Sequence, residues 1–191
     1  DEFYMIEKQI FKSFKENYQL FQNTELDDWD LLSLGQHYGL PTRLIDWTAN
    51  PLIALWFAFE KTKNNNGDRI IFGLVVEEDS IVDFNRDEIY SGSFIKIFHP
   101  KPFDNRVINQ ESWFSIQPPQ IFGKGGDGLP HFNDYNTLND NEDFEYYLIK
   151  FRFKDSLRRE ILEELDNNGI NGMKVYPDLT GLCKMIEMNE I

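Results

Sequence analysis

Gln36-His37-Tyr38-Gly39-Leu40-Pro41-Thr42-Arg43-Leu44-Ile45-Asp46-Trp47-Thr48-Ala49-Asn50-Pro51 is the densest run of chemically capable side chains in the sequence. His37 can donate, accept or act as a base near neutral pH. Arg43 and Asp46 are placed to form a charge-assisted pair, and Thr48 and Asn50 suit the cap of a following helix. Gln36 and Thr42 supply further hydrogen-bonding groups. The run joins two apolar segments, so polar groups carried near a core there must be hydrogen-bonded. Two readings stay open from residue type alone: a network that locks a loop around a helix start, or a binding and catalytic site on that scaffold.

A second constellation is Arg106-Val107-Ile108-Asn109-Gln110-Glu111-Ser112-Trp113-Phe114, which sets Arg106, Gln110 and Glu111 at the entrance to an expected strand. Side chains there can project over a cleft, or merely dress a strand edge. A third is Lys150, Arg152 and Lys154 with Arg158 and Arg159 beyond, a concentrated positive patch. It suits phosphate contacts with a nucleotide or an RNA, or a solvated sheet face defended by charge. Gly123-Lys124-Gly125-Gly126-Asp127-Gly128 lacks the Ser/Thr and the helix that a phosphate-binding P-loop requires, and reads as a flexible surface loop. His37, His99 and His131 are scattered, so no metal site is expected, and no Gly-x-Ser-x-Gly elbow is present.

These groups need a scaffold. Apolar residues Phe3, Ile6, Ile10, Phe11, Phe14, Tyr18 and Phe21 recur at helical spacing and predict an N-terminal helix over 2–22. A second helix is expected over 27–38, capped by Thr24 or Asp27, with Trp29, Leu32 and Leu34 inward. Asn50 and Pro51 open a third over 51–60 whose sides are nearly all apolar, the expected core helix. Strands are expected at 69–77, 93–98, 113–117 and 145–153, then a helix over 156–167 capped by Asp155 and another near 178–188. Residues 123–143 read as one long flexible loop. Helices lead and strands follow without βαβ alternation, which argues for an α+β fold on a mostly antiparallel sheet. The whole chain, 1–191, reads as a single domain.

The chain carries 33 Asp and Glu against 19 Lys and Arg, a formal charge of −14. Carboxylates crowd 27–30, 77–88 and 134–145, away from the basic stretch at 150–159. That balance repels duplex DNA and leaves a small anionic ligand possible in one basic pocket. With aromatics at 15%, the composition is globular rather than disordered. No apolar run is long enough for a bilayer, the first residues do not read as a signal peptide, and no membrane partner is expected. The lone Cys183 has no internal partner, reads as a core thiol in an apolar helix, and points to a reducing, cytoplasmic setting.

The Gln36–Pro51 run, continued by Leu52-x-Ala54-Leu55-x-Phe57-Ala58, resembles the hallmark segment of FRG domains. Arg106-Val107-x-x-Gln110-x-x-x-Phe114 resembles their central motif. Gly169-Ile170-Asn171 with Tyr176-Pro177-Asp178-Leu179-x-Gly181-Leu182 resembles their C-terminal one. The three stand in the family's order over roughly residues 25–187. The family's aromatic-Arg-Gly tripeptide is not found, and the resemblance implies that it lies upstream of residue 1.

FRG domains are bacterial and phage-associated modules, and the resemblance implies a stress or phage-defence effector. The order of an early Arg, a polar His/Thr segment and a later Gln or Glu is similar to that of ADP-ribosyltransferases. By that analogy the ligand is NAD or a related nucleotide, and the fold is ADP-ribosyltransferase-like. His37, Gln110 and Glu111 would take the catalytic roles. Gln36, Thr42, Arg43, Asp46, Thr48, Asn50 and Arg106 would line the nucleotide. The alternatives are a non-catalytic module binding a protein or peptide, and an RNA-directed enzyme using the basic stretch at 150–154.

Overall fold

A computed structural model describes residues 2–61, 67–91, 95–117, 120–124, 130–133 and 148–190. In chain order its first elements are α1 (Glu2–Asn17), α2 (Asp28–His37), β1 (Leu44–Thr48), α3 (Pro51–Phe59), β2 (Arg69–Leu74), β3 (Lys96–Phe98) and α4 (Asn105–Asn109). Then come β4 (Ser112–Ile116), β5 (Gln120–Lys124), β6 (Pro130–Asn133), β7 (Leu148–Phe153), α5 (Arg158–Asn167), α6 (Gly172–Val175) and α7 (Leu179–Glu190). The fold is α+β, and β2 with β7, β3 with β4, and β5 with β6 all pair antiparallel. Two compact units share the chain: residues 1–46, 76–101 and 114–145 form one, and residues 47–75, 102–113 and 146–191 the other.

In the first unit, α1 stops at Asn17 and a single 3-10 turn, Tyr18–Leu20, follows it, short of the expected end at 22. The helix buries Tyr4, Glu7 and Phe11, and the turn buries Tyr18, while Ile6 is 43% and Phe21 87% exposed. The apolar stripe read from the sequence is therefore rotated, because a carboxylate belongs on the buried face. α2 begins where Asp27 accepts the Asp30 N–H at 2.9 Å, and Trp29, Leu31, Leu32 and Leu34 are buried on it. It ends at Gly39, whose φ of +89° lets the Leu40 N–H return to the Gly35 carbonyl at 2.8 Å. The sheet order is β1-β4-β3. Phe98 stands opposite Phe114, and Trp29 meets Phe98 edge-on at 5.0 Å. β1 falls inside the stretch that the sequence suggested was a polar loop.

β6 lies within the expected 123–143 loop and β5 ends just inside its start; the two pair antiparallel with an irregular register between Ile121 and Lys124. Pro130 sits at the first position of β6, where a missing N–H is tolerated. Gly125–Leu129 and residues 134–147, including most of the glycine-rich run and the third acidic cluster, lie outside the described residues.

In the second unit, the Asn50 side chain accepts the Leu52 N–H at 3.0 Å and Pro51 follows at the first helical position, as expected. Ile53, Trp56 and Phe59 of α3 are fully buried against Leu162 and Leu165 of α5, Ile170 and Val175. α3 is not buried all round: Leu52 is 42% and Phe57 36% exposed. β2 is shorter than the expected 69–77 and only half-buried, with Ile70 and Phe72 exposed, because β7 is its one strand neighbour among the described residues.

Asp155 does not cap α5. It pairs with the buried Arg69, which also donates to the Ala58 and Lys61 carbonyls at 3.0 and 2.9 Å. Arg158 donates to the Phe59 and Glu60 carbonyls at 3.0 and 3.1 Å, satisfying the end of α3. Cys183 is exposed rather than a core thiol, since α7 turns it away from the buried cluster. No helix among the described residues is long and apolar enough to cross a membrane.

α6 and α7 meet through glycines. A Cβ on Gly181 would stand 1.8 Å from the Tyr176 carbonyl oxygen and 2.4 Å from that of Gly172. Both obstacles are backbone, so no side-chain rotation relieves them. Gly181→Ala should therefore destabilise the chain by about 3 kcal/mol or more. Gly169→Ala, at φ +77° in open space, should cost only about 1–2 kcal/mol. Urea unfolding of both variants checks this, and equal losses would contradict the close approach of α6 and α7 at Gly181.

Candidate functional site

The sequence-derived candidates fall into two groups. Gln36, His37, Thr42, Arg43 and Asp46 belong to the first unit, and Thr48, Asn50, Arg106, Gln110 and Glu111 to the second.

In the first group, Gln36 at the end of α2 donates to Asp46 Oδ1 at 3.0 Å and accepts from the Thr42 hydroxyl. One amide thus clamps the turn between α2 and β1 at both ends. Crowding by neighbouring atoms raises the Asp46 carboxyl above its usual range, against the lowering effect of the Gln36 bond. His37 closes α2 with its ring edge-on to Tyr38 at 5.0 Å.

Arg43 has an ion pair with Glu7 rather than with Asp46. Its Nη1 lies 2.6 Å from Glu7 Oε2, and the two side chains are 5% and 9% exposed. Arg43 also donates its backbone N–H to Glu7 Oε1 at 3.2 Å, and its Nη2 to the Ile89 carbonyl. Its guanidinium stacks on Tyr90 at 5.0 Å.

In the second group, residues 48–50 are clasped to residues 110–111. The Thr48 hydroxyl donates to the Gln110 carbonyl at 2.7 Å, and the Ala49 N–H to the Glu111 carbonyl at 3.0 Å. The Asn50 amide donates to Glu111 Oε1 at 2.9 Å while its oxygen caps α3. Arg106 lies in the short helix α4, which leads into β4. Gln110 ends that helix and donates to the Val175 carbonyl at 3.1 Å.

Glu111 follows Gln110 with φ +49°, the one described non-glycine residue in the left-handed region. Glycine or asparagine is the usual occupant there, because an ordinary side chain costs about 1–2 kcal/mol. Glu111 is nevertheless exposed at the surface, with its carboxylate oriented by Asn50.

Beside this clasp, Arg106 Nε donates to Asp178 Oδ2 at 3.0 Å, and its guanidinium sits 5.2 Å from the centre of the Tyr176 ring. Lys184 lies 4.7 Å from the centre of the same ring and pairs with Glu60. Burial, helped by Glu60, pushes the Tyr176 phenol up. The Arg106 guanidinium holds the Asp178 carboxyl down to about 2, helped by hydrogen bonds from the Thr180 hydroxyl and from the Thr180 and Gly181 N–H groups.

The model of the FRG domain family matches residues 2–67. Over that stretch the chain is similar to an FRG domain. The match takes in the hallmark segment, Gln36 to Ala58, while the motifs at 106–114 and 169–182 lie beyond it. No curated protein and no solved structure matches the chain.

Two residues that bear on the FRG motifs were not among the sequence-derived candidates. Glu7 had a signal: Tyr4, Glu7, Phe11, Phe14 and Tyr18 lie at steps of three and four, so the acid shares a helix face with aromatics. Asp178 had none beyond its place in the C-terminal motif, because its partner is 72 residues away. The basic residues Lys150 and Arg152 are exposed on β7, with Arg152 3.7 Å from Asp68 and Lys150 5.7 Å from the Phe72 ring centre.

Glu7→Gln removes the carboxylate that pairs with the buried Arg43, and should cost about 3–5 kcal/mol in a denaturant melt. Replacing both, as Glu7→Met with Arg43→Leu, should recover most of that loss. Asp178 has a folded pKa below its unfolded one, so its contribution is present above about pH 4 and lost as pH falls toward 2. Carbon-13 titration should find Asp178 ionising near pH 2, and Asp178→Asn should flatten stability against pH across that window. A normal Asp178 titration would contradict the Arg106 pairing.

Proposed function

We propose that this protein binds NAD or a related nucleotide and acts in the manner of an ADP-ribosyltransferase, with Glu111 as the ribose-orienting carboxylate. The observation that carries the proposal is the backbone of Glu111. A glutamate held in a glycine conformation, exposed and aimed by an amide from the hallmark motif, is strain kept at a surface position. Such strain concentrates at functional sites.

In the reaction the bond between ribose carbon and nicotinamide nitrogen breaks, and its electron pair leaves with the nicotinamide. The positive charge that develops on the sugar is stabilised by the Glu111 carboxylate, which also accepts from a ribose hydroxyl. An acceptor nucleophile then bonds to the same carbon and loses its proton. Arg43 is not assigned to phosphate, because Glu7 occupies its guanidinium. In the second unit, Arg106 and Lys184 are paired with Asp178 and Glu60, so neither is assigned to phosphate. The resemblance to FRG domains supports placing the activity in bacterial stress or phage defence.

A second reading is favoured by the buried Arg43–Glu7 pair. If the hallmark segment serves the fold alone, the domain is a non-catalytic module for a protein or peptide. Isothermal titration with NAD and ADP-ribose, followed by an assay of nicotinamide release, separates the two. The nucleotide reading expects binding by the wild type. It also expects Glu111→Gln to keep that binding while release falls about a hundredfold or more. No binding of either compound, or release unchanged in Glu111→Gln, would overturn it.

A further inference from the structure

The second unit carries an open groove of about 290 Å³ that none of the FRG motif polar groups line. Leu165, 3% exposed, forms its floor, and Leu55 and Ile161 form its walls. Leu52 and Leu157, 42% and 40% exposed, stand at its rim. Surface leucines at both lips of one concavity are apolar area left in water that a partner could cover.

Beside the neutral Asn168, the charged lining is of one sign. Glu160 and Glu164 face the groove from α5, four residues apart on one helix face, and neither has an ion-pair partner among the described residues. Like charges at that spacing repel and destabilise the helix slightly. No cation lines the groove, and the nearby Arg158 and Arg159 are turned to the Phe59 and Glu60 carbonyls and to Glu163.

We propose that this groove docks a basic amphipathic helix of a partner protein. Its aliphatic side chains would enter between α3 and α5, and its Lys or Arg side chains would meet Glu160 and Glu164. A groove walled by helices with an apolar floor suits the helix-in-groove mode of recognition. The carboxylate rim selects the basic partner. A second copy of this chain would bring a formal charge of −14 and the same acidic rim, and an anionic lipid surface would meet two carboxylates. Docking at this groove is independent of nucleotide binding.

The test is fluorescence anisotropy with a labelled Leu/Lys amphipathic peptide and a Leu/Glu peptide of the same pattern. The Leu/Lys peptide should bind and the Leu/Glu peptide should not. Leu52→Asp, at an exposed position that leaves the core intact, should weaken binding roughly tenfold or more. Glu160→Gln with Glu164→Gln should weaken it and lessen its salt dependence. Glu78→Gln, which removes an exposed carboxylate of the other unit, should change nothing. Equal binding by Leu52→Asp, equal weakening by Glu78→Gln, or equal binding of both peptides would overturn the proposal. So would self-association that Leu52→Asp abolishes in a chain that ignores the peptide. NAD titration of Leu52→Asp keeps the two proposals apart, since nucleotide binding should be untouched.

Discussion

The clasp between residues 48–50 and 110–111 is the constraint on which the second unit depends. Asn50 has to do two jobs at once. Its oxygen caps α3 and its nitrogen holds Glu111, so the helix with the buried Ile53, Trp56 and Phe59 starts where a turn 61 residues away fixes it. Thr48 and Ala49 add bonds to the Gln110 and Glu111 carbonyls, and Gln110 passes the connection to α6 through the Val175 carbonyl. Each bond contributes about 1 kcal/mol. Their joint effect is geometric, because the apolar face of α3 can pack only one way once its first turn is fixed.

Most polar residues of the hallmark segment and of the 106–111 stretch are engaged in such bonds. Gln36 ties Thr42 to Asp46, Arg43 is buried on Glu7, and Arg106 is paired with Asp178. A motif dense in His, Arg, Thr and Asn is thus first a means of satisfying polar groups close to a core, where leaving one unpaired is costly. Glu111 differs. Its bond to Asn50 engages one carboxylate oxygen, and its backbone takes a conformation that a fold-only role would assign to glycine. That contrast singles Glu111 out as the functional carboxylate we propose.

The groove between α3 and α5 belongs to a different kind of chemistry. α3 was expected to be buried on every side because nearly all its residues are apolar. Leu52 remains exposed on the groove rim, beside Leu157 and the two glutamates of α5. A helix that is apolar all round can serve two partners, one inside the chain and one outside it.

The sequence by itself determined the starts and stops that are local in origin. Asp27 and Asn50 cap α2 and α3, Pro51 opens α3, and Gly39 and Gly169 end their helices, because capping depends on residues within one turn. The α+β class followed from the order of these elements. Only the tertiary structure decided which charge meets which. Glu7 with Arg43, Asp155 with Arg69 and Asp178 with Arg106 are separated by 36, 86 and 72 residues, and no local spacing encodes such pairs. It also decided which face of α1 is buried, and that Gln110 and Glu111, at the entrance to β4 as expected, also end a short helix. Periodicity reports that a helix has an apolar side. Which side is covered depends on the partner that covers it.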